Sequence, residues 1–442
     1  MTYRALAWAI GCGASVALAA QSHTIHTFKR IQLTPHFWAE GAWYGDFNHD
    51  CVLDVVYGTF WWEGPDFTKR HEYRPATATF ERKCADGSVE KVPGYEGALG
   101  TKNAYSDAFF TWSWDFNGDG LTDILVTGLP GEATYWYENP KGKEGPWERH
   151  VALDVTDNES PAFLDLTGDR RPELVCNSRG FFVYAEPDPR APLQPWTVHA
   201  ITPNKNYHKY THGAGVGDVN GDGRLDLLEK DGWWEQPAAR AGDPVWTCHA
   251  FTFCPTEAGV PVGGAQMFAY NVNGDGRNDV LTCHSAHGYG LAWYEQVREN
   301  GQITFRPHVF MNKKPEENKY GVKFSQPHAL DLVDMDGDGL KDLVVGKRFW
   351  AHGPEGDPEP NAPAVLYWFR LVRGPNRTAD FVPHLIDADS GVGTQVVATD
   401  LNRDALPDIV AGNKKGGYVF LHEARKATRA EWEAAQPKPI SQ

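Results

Sequence analysis

Residues 218–226 read Asp-Val-Asn-Gly-Asp-Gly-Arg-Leu-Asp, with oxygen-bearing side chains at the first, third, fifth and ninth positions. Short acidic side chains at alternate positions converge on one point, and a hard cation such as calcium takes six to eight oxygen ligands. Gly221 and Gly223 permit the tight turn between them. The glutamate that closes an EF-hand loop is missing. Val216 precedes the loop and Leu227 and Leu228 follow it, so it joins two apolar runs that read as β-strands.

The pattern recurs with first residues at Asp46, Asp115, Asp165, Asp218, Asn271, Asp334 and Asp400, spaced 69, 50, 53, 53, 63 and 66 residues apart. That period suits one four-stranded propeller blade with loops of variable length. Each unit reads as an apolar strand, the acidic loop, a second strand such as Leu53–Tyr57, and an aromatic third strand such as Trp233-Trp234-Glu235. A fourth strand is marked by an aromatic residue with histidine three places on, as in Trp147/His150, Trp196/His199 and Trp246/His249. The last unit lacks this strand. Residues 28–33, Phe-Lys-Arg-Ile-Gln-Leu, resemble it and are expected to close the ring by pairing with the other end of the chain. The expected fold is all-β: a seven-bladed β-propeller with calcium loops over residues 21–423, followed by a polar tail, 424–442.

These seven loops resemble the FG-GAP or VCBS repeat family, which builds calcium-bound β-propellers, including the integrin α-subunit head. The resemblance implies calcium ligands at Asp46, Asn48, Asp50 and Asp54, and at Asp115, Asn117, Asp119 and Asp123. In the third loop they are Asp165, Thr167, Asp169 and Glu173, and in the fourth Asp218, Asn220, Asp222 and Asp226. The remaining loops supply Asn271, Asn273, Asp275 and Asp279; Asp334, Asp336, Asp338 and Asp342; and Asp400, Asn402, Asp404 and Asp408. The third loop departs most, with Arg170 and Arg171 inside it. The first has His49 and Cys51, and the seventh Arg403 and Ala405, where other loops carry glycine.

In a propeller the acidic loops occupy one face, and unit-specific residues on the opposite face are candidates for function, since binding residues favour loops on a rigid scaffold. The fourth-strand histidines repeat and are expected to pack or hydrogen-bond. His208, His212, His284, His287 and His328 do not repeat, and all map to the opposite face. With Tyr289, Lys230 and Lys347 they form the candidate catalytic set, able to move protons or bind a second divalent ion, Zn2+ or Mn2+. Glu40, Asp107, Glu159, Arg179, Gln266, Gln326, Arg348 and Gln395 map to the same face as candidate substrate-binding residues. A paired-carboxylate hydrolase using Glu40, Asp107 and Glu159 stays open, because separations are invisible in sequence. No nucleophile elbow, P-loop, zincin helix or dinucleotide fingerprint appears in a matching context.

Residues 1–20 combine Arg4, an apolar stretch and Ala17, Ala19 and Ala20, as in a secretory signal peptide, so a secreted or periplasmic location is expected. Lipid attachment at Cys12 is the lesser alternative. No later apolar stretch is long enough to span a bilayer. A net charge of −16 argues against nucleic acid as partner. Six cysteines follow the leader, and of these only Cys248 and Cys254 are close in sequence. More loosely, the chain resembles the propeller domain of fungal aldos-2-ulose dehydratases. That resemblance implies a carbon-oxygen lyase or dehydratase acting on an oxidised keto- or uronate sugar by β-elimination, with a carbohydrate or small sugar derivative as partner. The alternative is a non-catalytic propeller that binds glycan or protein.

Overall fold

A computed structural model describes residues 23–143, 145–255 and 263–440. The expected leader and Cys12 lie outside the described residues. Ala42–Gly45, Asp54–Tyr57, Phe60–Trp62 and Arg70–Glu72 pair in sequence order as one antiparallel sheet. Among the described residues the same four-strand arrangement recurs around the ring, and in the last sheet the fourth place is taken by the N-terminal strand His23–Thr34. The second and third groups share the long strand Glu148–Leu164, and the fourth and fifth touch through a short parallel contact of Ala214–Gly217 with Gln266–Tyr270. The first strands of the groups line the centre, and the last group returns to the first, where Thr394 N–H donates to the Glu40 carbonyl at 2.6 Å. The result is a ring of curled sheets of propeller type.

The apolar faces of neighbouring sheets make the core. Trp61 and Val55 of the first group cluster with Ile124 of the second and Val410 and Val419 of the last. Fourth-strand histidines stack on third-strand aromatics: His71 on Trp61 and His249 on Trp233, both at 4.0 Å between ring centroids. Each also bonds the glutamate that follows the third-strand aromatics, His71 to Glu63 at 2.7 Å and His249 to Glu235 at 2.9 Å. The repeated histidines are therefore packing elements, as their repetition implied.

The ninth residue of six of the seven acidic loops does more than the calcium pattern suggests, whereas among the described residues Glu173 of the third bonds only Leu166 and Thr167 of its own loop. Asp226 Oδ2 accepts from Val219 N–H and Oδ1 from Gln236 N–H, each at 2.9 Å, which ties the loop to the third strand. Asp54, Asp123, Asp279, Asp342 and Asp408 repeat this pair of bonds. All six are fully buried, and burial pushes their carboxyls up to about 6 or 7 in spite of the two N–H donors. Where glycine is absent the loop keeps its left-handed residues, with φ of 60° at His49, 69° at Cys51 and 69° at Ala405.

Ring closure follows the sequence expectation and extends it. The strand His23–Thr34 pairs antiparallel with the last strand, Gly416–Ala427, with Phe28 opposite His422. The stacking partners have exchanged strands here: the aromatic is on the closing strand and the histidine on the third, 4.6 Å apart. The tail is not featureless. The strand runs to Ala427, and Thr428 caps a helix, Arg429–Ala435, whose Trp432 stacks on His23 at 5.1 Å. The extra chain after the first group folds into a hairpin of Thr79–Lys83 with Val89–Pro93 and then docks by Ala98 N–H on the Lys414 carbonyl at 2.8 Å. All cysteines among the described residues are free thiols. No helix among them is long and apolar enough to cross a membrane.

The closing seam should be acid-sensitive. Burial pulls His384 and His422 down to about 4, Arg370 adding to the effect on the first and His26 on the second; His26 itself, facing Asp336 and Arg370, is lowered by burial. Unfolded histidine titrates near 6.5, so the unfolded chain takes up protons first as pH falls. The histidine part of the stability present at neutral pH is therefore lost between about 6.5 and 4, by roughly 3 kcal/mol for each of His384 and His422. The loop carboxyls raised by burial act in the opposite sense, and a cation that keeps them ionised removes that opposing contribution. Thermal melts with calcium present should show a lower Tm at pH 5 than at pH 7.5, and His422→Gln should shrink that difference. An unchanged difference would remove His422 from the account.

Candidate metal centre and pocket

Four unit-specific side chains converge on the face opposite the acidic loops. Glu159 lies within the strand shared by the second and third groups, where Asn158 at φ 82° turns the chain and its side chain bonds Asn177 at 2.8 Å. A left-handed asparagine locked in this way fixes the direction of the residue after it. His212 precedes the first strand of the fourth group, His287 follows the second strand of the fifth, and His328 lies in the strand Pro327–Val333 of the sixth. Gly263 lies against His212, and a Cβ there would come within 2.6 Å of the His212 carbonyl.

The donor atoms meet closely. His212 Nε2 is 2.9 Å from His287 Nε2, and Glu159 Oε2 is 3.3 Å from His328 Nε2 and 3.6 Å from His212 Nε2. All four residues are buried, and each offers a donor within 4.8 Å of every other. A tetrahedral ion with bonds near 2.0–2.1 Å sets its ligands about 3.3 Å apart, so the spacing fits one divalent cation. His212 Nδ1 donates to the Tyr210 carbonyl at 2.8 Å, which leaves its Nε2 lone pair aimed at the centre. Burial lowers His212 and His287 and brings His328 to about 4, keeping the imidazoles in the neutral form that a metal needs. Burial alone would raise Glu159, but His212, His328 and Arg348 outweigh it and hold the carboxyl well below the usual range.

Arg348 stands against the same donors. It is 1% exposed and places Nη1 3.0 Å from His328 Nε2 and 3.2 Å from Glu159 Oε2, while Nη2 is 3.1 Å from Glu40. Its backbone N–H is held by the Gln326 carbonyl at 2.9 Å. The guanidinium and a cation therefore compete for His328 and Glu159.

The centre forms one wall of a cavity of about 460 Å³, rimmed by Tyr105, Phe109, Tyr210 and His208. His352 completes the wall. Its Nδ1 is 2.7 Å from Asp357 Oδ1, its ring lies 4.4 Å from His287, and Asp357 is drawn down by the histidine in spite of its burial. Sequence reasoning missed His352, although it is as unrepeated as His287 and follows the sixth group's second strand as His287 follows the fifth's.

Of the other candidates, His208 reaches the rim, and Glu40, Glu159 and Arg348 form the buried ion network. The rest are placed elsewhere. His284 is set apart against Tyr294. Tyr289 O–H donates to Glu359 at 2.8 Å, and Lys230 pairs with Asp231. Lys347 is buried on Ser325 Oγ at 2.5 Å and lowered by burial to about 8. Gln266 and Gln395 are committed to backbone groups of neighbouring inner strands: Gln266 accepts from Leu330 N–H, and Gln395 both accepts from and donates to Thr111. Arg179 pairs with Asp154 at the surface, and Asp107 is gripped by Arg74 in a neighbouring cavity.

Among the acidic loops, Asp334, Asp336 and Asp342 bring oxygens within 4.8 Å of one another, and so do Asp165, Asp169 and Glu173 of the divergent third loop. Donor sets of this kind suit calcium. Arg370 shares the sixth loop's carboxylates, at 2.5 Å from Asp336 and 3.0 Å from Asp338.

FG-GAP-like repeats are found at residues 115–176 and 271–345, which contain the second and third loops and the fifth and sixth. Comparison with curated protein sequences gives no match. Among solved structures, a lectin of Agrocybe aegerita described as recognising non-reducing terminal N-acetylglucosamine is 14% identical with TM-score 0.43, over 80% of this chain and 94% of that one. The Tc holotoxin pore of Photorhabdus luminescens is 16% identical with TM-score 0.38, over 77% of this chain, which spans 16% of that one. Likeness at this level does not bear on chemistry.

Proposed function

We propose that the chain is a carbohydrate-active lyase or dehydratase: a seven-bladed propeller stiffened by calcium in its acidic loops, with one transition-type divalent ion held by Glu159, His212, His287 and His328. The observation that supports this reading is the convergence of those four buried donors on the wall of an aromatic-rimmed cavity large enough for a sugar. A mixed nitrogen and oxygen set favours Zn2+ or Mn2+ over calcium. When bound, such an ion supplies a Lewis acid beside a sugar carbonyl or carboxylate.

The protein's own groups do the rest. Tyr105 and Tyr210 offer aromatic faces at the rim for the apolar side of a pyranose. With Asp357 accepting from Nδ1–H, His352 presents Nε2 as the base that takes the proton from the carbon next to the carbonyl. The freed electron pair forms the carbon-carbon double bond, the β carbon-oxygen bond breaks, and the leaving oxygen takes its proton from His208 or Tyr210. Arg348 stabilises the negative charge that builds on the carbonyl oxygen or carboxylate.

One observation favours a second reading, a non-catalytic sugar-binding module. Arg348 already pairs with both Glu159 and Glu40, which reduces the site's need for a metal ion.

Elemental analysis before and after dialysis against a mild chelator, combined with turnover of uronate and keto-glycosides followed by absorbance of the unsaturated product, separates the two. The lyase reading expects calcium plus one zinc or manganese per chain, with His212→Ala losing that ion and turnover together. Calcium alone, with sugar bound but never converted, would leave the binding module.

A further inference from the structure

The first two acidic loops are 69 residues apart, the widest spacing in the chain. The extra chain carries Tyr95, fixed by its N–H to the Phe37 carbonyl at 2.8 Å, and shortly after it Tyr105. The two tyrosines face a second cavity of about 430 Å³ that shares Tyr105 and Leu129 with the cavity of the metal centre. Asp107 lies in its wall, held by both guanidinium nitrogens of Arg74 at 2.6 and 2.8 Å, with its side chain still 51% exposed. Across from it are Tyr135, with Arg149 over the ring at 4.3 Å, and the exposed Glu132.

The solvent-facing Asp107 carboxylate held by the buried Arg74, the exposed Glu132, and the Arg149 guanidinium over Tyr135 offer what a pyranose ring needs: a planar stack for its C–H face and charge-assisted hydrogen bonds for its hydroxyls. Two carboxylates balance two guanidiniums, so the cavity has no net preference for an anion. We infer that this cavity is a second sugar subsite, and that the substrate is a disaccharide or longer chain whose scissile bond crosses over Tyr105 and Leu129. The inference rests on the sugar-lyase reading of the adjoining pocket. It also gives Asp107 a binding role, in the second cavity and away from the metal centre.

The test is calorimetric titration of manganese- and calcium-loaded protein with a panel of hexoses and hexuronates and their 1,4-linked disaccharides. A disaccharide should bind about tenfold more tightly than its monomer, the gain of one added ring on an aromatic platform. Tyr135→Ala should remove that gain and leave monomer affinity unchanged. Glu132→Ala, at an exposed position, repeats the test without touching the core. Equal affinities for monomer and disaccharide, untouched by either variant, would overturn the subsite and leave the sugar reading standing. Binding of no sugar in the panel would overturn both.

Discussion

Deleting residues 23–34 is expected to leave a protein with no cooperative thermal transition. The strand they form is the fourth of the last group, and it pairs residue by residue with Gly416–Ala427 along almost its whole length. Its loss exposes the edge of the last strand and uncovers His422 and Tyr418 from Phe28 and Arg30. It also removes Ile31 and Leu33 from the cluster around Trp61 and Val419, and the stacking partner of Trp432. Ile31 and Leu33 are half-buried, so each costs less than the about 2–5 kcal/mol of a fully buried side chain, but their loss adds to that of the strand ladder in a domain whose whole stability is only about 5–15 kcal/mol. Circular dichroism melts would settle the matter, and adding the peptide 23–34 in trans should restore part of the transition. A deletion variant that melts like the parent would refute closure by this strand.

Arg348→Met should be the most damaging single substitution, at about 3–5 kcal/mol. The guanidinium lies between two buried carboxylates, and removing it leaves both without their counter-charge. Glu40 is 0% exposed, and among the described residues neither of its oxygens has another hydrogen-bond partner. Arg348→Met combined with Glu40→Gln should therefore recover part of the loss in denaturant unfolding, since one orphaned charge has gone. The same variant should bind manganese more tightly than the parent, because Arg348 competes for His328 Nε2 and Glu159 Oε2. A loss under 1 kcal/mol would mean that those carboxylates are neutral or solvated, contrary to the network described.

The repeat was legible because each unit solves the same local problem. The acidic loops, the aromatic third strands and the partner histidines appear in sequence at the places where the sheets need them. The closing strand was legible for the same reason, since the last unit was short of one. The ninth loop residue was only half legible: its type suggested a cation ligand, whereas its two backbone bonds depend on where the third strand returns. The candidate metal centre was legible as a set of unrepeated histidines, and the side chains of His212, His287 and His328 do meet. What excluded His284, Tyr289 and Lys230 was side-chain direction and nearby partners such as Glu359 and Asp231. Gln266 and Gln395 misled because an unpaired inner-strand backbone needs an amide as much as a substrate does.

The closing seam joins residues that leave the ribosome far apart in time. His23 pairs with Ala427, and at 5–20 residues per second the first strand waits roughly 20–80 s for its partner. Throughout that interval it is a free edge strand, and so is the open side of each sheet already made. In a crowded compartment the waiting strand of one copy is within reach of the unfinished ring of another. Strand exchange between nascent copies is thus the characteristic misassembly of this architecture, and its yield should rise with expression rate and not with temperature alone.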